Sequence, residues 1–124
     1  ASAVFRGGLV AYQADLKAGL LGVDQEVLTS GGAVSAEVAI AMAEGAATLL
    51  GSDYAVATTG VAGPDNEPVS GLAPGVVFVA VAGSGLGTWV RELSFSGSRD
   101  EIRERSTRAG LQGLRDALLH DYPV

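Results

Sequence analysis

The apolar run Tyr54-Ala-Val-Ala57 leads straight into Thr58-Thr-Gly-Val-Ala-Gly-Pro64. That junction limits the possible folds more than any other segment of the chain. A short apolar run closed by glycines reads as a buried strand. A strand that ends in a small, hydroxyl-bearing glycine turn is how many α/β proteins hold an anion or a carbonyl at a sheet's carboxyl edge. The small residues let a ligand approach the backbone, and the hydroxyls supply hydrogen bonds.

The segments on either side fit the same class. Ser35 is placed as an N-cap, with Glu37 in the first turn where a carboxylate suits the helix dipole. The alanine-rich run Ala36 to Leu50 follows, with Val38, Met42, Ala46 and Leu49 at helical spacing as its expected core stripe, and Gly51 as the stop. Asp15 to Leu21 reads as a short helix ended by Gly22, and Asp24 to Thr29 as a further turn or two. Val4 to Tyr12 reads as a strand with a bend at Gly7-Gly8. Val76 to Ala82 is apolar throughout and predicts a strand covered on both faces. Gly83 to Gly87 predicts a hairpin, and Trp89 to Phe95 alternates as a half-exposed strand. Ser98-Arg-Asp-Glu101 is a capping box that opens a last helix from Arg99 to about Leu119, with Ile102, Leu111, Leu114 and Leu118 expected on its buried face. Between the central strands, Val61 to Pro74 is a loop with three prolines, long enough in a small domain to suggest a function. The order predicts an α/β domain, three layers α/β/α, with a mixed sheet: an antiparallel hairpin at the end and parallel pairing across the helices.

Composition narrows the function. The 124 residues fit one domain, and 14 acidic against 8 basic residues give a net charge of −6. That balance argues against a general binder of nucleic acid or anionic membranes. There are no cysteines and a single histidine, His120, which excludes disulfides and thiolate or His-rich metal sites. No apolar run approaches the roughly 20 residues a membrane span needs, and no signal peptide opens the chain. A cytoplasmic location is the expectation. Lys17 is the only lysine.

Four segments of the chain resemble the CinA C-terminal domain family. They are Ser2-Ala-Val-Phe-Arg-Gly-Gly-Leu-Val-Ala-Tyr12 with Lys17 and Leu21-Gly-Val23; Gly32-Ala-Val-Ser35; Thr59-Gly-Val-Ala-Gly-Pro64 with Pro74-Gly75; and Phe95-Ser-Gly-Ser-Arg99. The resemblance covers essentially residues 1–124. It implies an amidohydrolase that converts nicotinamide mononucleotide to the acid and ammonia, with no metal or cofactor. It also implies two departures. Family members carry a preceding strand and helix with a Glu-Ser-Cys/Ala-Thr-Gly-Gly-like turn, whose serine is the expected nucleophile; nothing here corresponds to it. The chain therefore reads as N-terminally truncated relative to the family and inactive alone. In the long loop, Asp65-Asn-Glu67 and Ala73-Pro-Gly-Val76 stand where the family has Gly-Gly and Lys-Pro-x-Gly-Thr.

The resemblance assigns Lys17 as a base and Tyr12 as its orienting or relaying partner, since a desolvated lysine can act near neutrality. Read without the family, Lys17 is a solvated helix residue and Tyr12 an aromatic at a strand end. Thr59 joins the catalytic group, with the Gly60 and Gly63 backbone holding substrate; otherwise it is a turn residue bonding its own backbone. Arg99, and less directly Arg103, are assigned to the substrate phosphate at a helix start. Otherwise Arg99 is a surface residue paired with Asp100 or Glu101. Asp65 and Glu67 read as a solvated loop, not a metal site. Loss of a strand from the sheet would leave an unpaired edge, so a homo-oligomer or a marginally stable chain is expected. The rival reading is a non-catalytic nucleotide-binding or assembly module.

Overall fold

The computed structural model describes residues 2–83 and 85–120. Ser84, inside the expected hairpin, lies outside them. Four helices, α1 (Ala14–Leu21), α2 (Gln25–Gly31), α3 (Ala36–Leu50) and α4 (Arg99–His120), surround three strands, β1 (Tyr54–Gly60), β2 (Val76–Gly83) and β3 (Gly87–Ser94).

Local chemistry sets the helix ends. Asp24 and Ser35 cap α2 and α3 by accepting from the amides of Glu26 and Val38. Gly22 and Gly51 end α1 and α3 in the left-handed conformation. The capping box at α4 is reciprocal: Ser98 N donates to Glu101 Oε1 at 2.9 Å, and Glu101 N donates to Ser98 Oγ at 3.3 Å.

The sheet runs β1-β2-β3, and both pairings are antiparallel. The α/β class holds, but the expected parallel pairing is absent from the described residues. Residues 5–12 form no strand. A strand exists only against a partner, and this segment lies instead near the end of α3, where Arg6 Nε donates to Leu50 O. The outer edge of β1 is therefore unpaired among the described residues.

Alternation along β2 divides the core into two layers. Phe78, Ala80 and Ala82 face α3, where Ala39 and Ala43 are fully buried. Val77 and Val79 face α4 and pack with Ile102, as does Val81 against Gly113. Burying each of these valines is worth about 1.5–3 kcal/mol. Outside α3 lies a further layer, with Leu21, Val23 and Leu28 packed around Val38. Here α1 crosses α3 so closely that a Cβ on Gly45 would collide with the Leu21 carbonyl oxygen.

The underside of α4 departs from expectation. Leu111 and Leu118 are exposed, as is Leu49 on α3. The buried positions of α4 are Ile102, Gly110, Gly113 and Ala117. A Cβ on Gly113 would stand 3.0 Å from Trp89 Cζ3, and one on Gly110 would stand 3.3 Å from Thr58 Cγ2. Small residues let the helix settle onto the sheet, and the leucines are turned outward.

Candidate functional site

The turn after β1 lies where the sequence places it, at the strand's carboxyl end. Gly63 has a φ of 86°, a conformation that favours glycine, and precedes a cis peptide bond to Pro64. A Cβ there would also press on Pro74 at 2.9 Å. The turn is tied to the strand after it: Val61 N donates to Val76 O at 2.9 Å, and Gly75 N donates to Val61 O at 2.7 Å.

Arg99 closes this turn from the side. Its Nη1 donates to Gly63 O at 2.7 Å. One helical turn on, Arg103 lines a cleft of about 190 Å³ between the end of β1 and α4. Gly60 forms part of its floor, and Thr58, Ser106 and Thr107 add three hydroxyl residues. Ser106 Oγ and Thr107 Oγ1 donate to the helix carbonyls of Ile102 and Arg103, which leaves their oxygens able to accept. The cleft is smaller than the ~300–1,000 Å³ typical of whole-ligand pockets. It has the size of a subsite, with a guanidinium and hydroxyls suited to an oxyanion.

Thr59 is not in this cleft. Its side chain points to the α3 face, and its Oγ1 donates to Ala33 O at 2.6 Å, just before α3. The residue is buried. In the structure it pins the α3 approach to β1, and its neighbour Thr58 meets the cleft. Sequence reasoning missed Thr58, Ser106 and Thr107. The signal available was the one-residue alternation of β1, which puts Thr58 and Thr59 on opposite faces.

Lys17 and Tyr12 stand elsewhere. Lys17 is 7% exposed, and its Nζ donates to the carbonyl oxygens of Ala11 and, at 3.4 Å, Tyr12. Burial pushes its ammonium below its ordinary value of 10.5, as a base would require. It is therefore not a solvated helix residue. Tyr12 is 75% exposed; its backbone, not its ring, meets Lys17. Among the described residues α1 packs on α2 and α3 but on no strand. The structure thus brings Arg99 to Gly63 and Arg103 to Gly60 at the same strand end, and leaves Lys17 and Tyr12 apart from them.

Glu67 orders the long loop. Its Oε1 accepts from Val69 N at 2.8 Å and Ser70 N at 2.6 Å. Desolvation alone would raise its pKa, but the bonds from Ser70 and Val69 overcome that and lower it. Its carboxylate also lies against Gly32.

A three-stranded sheet between helices, with a glycine turn and a cleft lined by Arg103 at one strand end, defines an α/β domain. Residues 1–118 match the CinA C-terminal domain, and the chain belongs to that family. A competence-damage inducible protein of Bacillus cereus strain G9842 is 47% identical over 113 residues, 91% of this chain and 27% of that protein. The chain thus spans about a quarter of the length of the curated relatives it matches. Solved structures of the same family are similar to this chain, among them these two. Competence damage-inducible protein A (ComA) of Klebsiella pneumoniae subsp. pneumoniae MGH 78578 has a TM-score of 0.83 and 30% identity, over 90% of this chain and 68% of that one. Competence/damage inducible protein CihA of Agrobacterium tumefaciens has a TM-score of 0.77 and 36% identity, over 83% and 62%. Among the described residues no helix is long and apolar enough to cross a membrane.

Proposed function

We propose that this chain carries the nucleotide-binding half of an amidohydrolase that acts on nicotinamide mononucleotide. The observation that supports it most is the bond from Arg99 to Gly63 O beside the cleft of Gly60 and Arg103. It holds a guanidinium at the end of a glycine turn, where the phosphate of a mononucleotide would meet two arginines, hydroxyls and backbone. By the family resemblance Lys17 is the base of the amide hydrolysis, a role its lowered pKa suits; it stands apart from this cleft and belongs to turnover, not to binding of the phosphate. The family's Ser-Thr-Gly-Gly-like nucleophile segment has no counterpart in these residues, so binding and turnover separate. The test is calorimetric titration of the 124-residue chain with nicotinamide mononucleotide, beside an ammonia-release assay. Saturable binding without ammonia is the expected result. Release of ammonia would mean that a nucleophile lies among the residues present. Absence of both would overturn the reading.

A second reading is an assembly module. It is favoured by the outer edge of β1, unpaired among the described residues, together with exposed Val4, Phe5 and Val10. An open edge of this kind pairs readily with a second copy. Sedimentation velocity over a concentration series separates the two: a monomer throughout would remove this reading.

A further inference from the structure

A second concavity opens on the α4 side of the sheet and shares no residue with the cleft just described. It is a groove of about 330 Å³ between β3 and the middle of α4. Its floor is apolar and aromatic: Trp89 and Leu93 project from alternate positions of β3, and Phe95 follows the strand's end. Three arginines rim it, Arg91 from the strand and Arg105 and Arg108 from the helix. In a chain with only 8 basic residues and a net charge of −6, three guanidinium groups in one groove are an unusual local concentration.

Each arginine is placed with donors to spare. The Arg91 guanidinium lies over the Trp89 ring, 5.1 Å from its centroid, so cation and ring form one stacked wall. Arg105 Nη1 donates to Ser96 O at 2.6 Å, which fixes it at the Phe95 end. Arg108 meets Glu104 at 3.1 Å in an exposed pair of helix neighbours, a weak interaction easily exchanged for a better acceptor. A guanidinium has five N–H donors, so these contacts leave most of each fork for a ligand. Asp116 also lines the groove. It lies eleven residues beyond Arg105, about 16 Å along the helix, so an acid group is directed to the Arg105 end and away from Asp116.

We infer that this groove binds a small planar aromatic carboxylate, its ring against Trp89, Leu93 and Phe95 and its acid group on Arg105 and Arg108. The volume lies at the small end of ligand pockets, which favours a single- or fused-ring acid. The aromatic floor selects a flat ring, and the forks match a carboxylate in bidentate geometry.

Trp89 is the only tryptophan, so its fluorescence reports on this groove and not on the other cleft. The probe is 4-nitrobenzoate, a quencher, with neutral 4-nitrobenzamide as its isostere. Saturable quenching by the acid is expected, with the amide weaker by about tenfold or more, and Arg105→Gln/Arg108→Gln weakening the acid to a similar degree. Circular dichroism and the urea midpoint check the fold. If the double variant does not fold, Arg108→Gln alone decides, because it keeps the bond to Ser96. Equal binding of acid and amide would overturn the proposal, as would quenching that never saturates or is indifferent to the arginines. Emission from Trp89 that changes with protein concentration before any probe is added would also overturn it, by showing a second copy in the groove.

Discussion

Arg99 and Gly63, 36 positions apart in sequence, meet through a 2.7 Å hydrogen bond from guanidinium to carbonyl. The bond couples the start of α4 to the turn after β1. It also orients the fork beside the glycines, where the proposed phosphate would meet it. Arg99→Ala is expected to weaken binding of nicotinamide mononucleotide by about tenfold, or about 1.4 kcal/mol. Arg99→Lys should fall between, keeping the charge and losing the fork. Calorimetry on the three proteins checks this, and an unchanged affinity in Arg99→Ala would remove the residue from the site.

Thr58 and Thr59 should separate binding from stability. Thr59 Oγ1 donates to Ala33 O at 2.6 Å in a buried setting. Thr59→Val keeps the shape, leaves that carbonyl unpaired and should cost about 1–2 kcal/mol in urea denaturation. Thr58→Val should leave the urea midpoint nearly unchanged and weaken the ligand, since Thr58 lines the cleft. The reverse pattern would show that the two faces of β1 have been assigned the wrong way round.

Lys17 should impose a pH dependence on stability. Burial holds its ammonium below the ordinary value of 10.5. The folded chain therefore releases the proton at lower pH than the unfolded chain, and between the two values the unfolded state binds more protons. Stability rises with pH through that window and levels off above 10.5. Below the folded value the cost of burying the charged group is fully present. Urea midpoints from about pH 7 to about pH 11 should rise for the wild type and rise less for Lys17→Met, which keeps the apolar stem and has nothing to titrate. Parallel curves would mean that Lys17 does not feel its burial.

Gly45→Ala should be among the most damaging small substitutions. Its Cβ would enter the Leu21 carbonyl oxygen, a backbone atom that cannot rotate away. The loss should reach the upper end of the ~1–3 kcal/mol seen for overpacking, read as a lower urea midpoint. No change would show that α1 slides freely on α3.

Much of this was legible in the sequence where the deciding chemistry is local. Ser35, Gly51 and the Ser98–Glu101 box set helix ends through bonds within a few residues, and those ends fall where the sequence puts them. Arg99 meets Gly63, and Arg103 meets the cleft that Gly60 lines, because a turn and a helix start both lie at the end of β1. Residues 4–12 carry a strand-like pattern without the partner that a strand requires. On α4, hydrophobicity selects Leu111 and Leu118, but the spacing between helix and sheet selects Gly110 and Gly113. The sequence motif points to Thr59, whereas Thr58 lines the cleft, because one residue of register decides which face a side chain takes, and register belongs to the sheet.

The thin glycine underside of α4 has a consequence for how this domain can vary. Arg103 lines one concavity, with Arg99 one turn before it on Gly63 O, and Arg105 and Arg108 line the other, all within three turns of a single rod. Gly110 and Gly113 set how high that rod rides. A methyl group added there would lift the helix and carry four guanidinium groups with it, disturbing two separate concavities from the seat of the helix. Drift at Gly110 and Gly113 is thus coupled to the geometry of both surfaces at once, and neither surface can be retuned through the seat of α4 without moving the other.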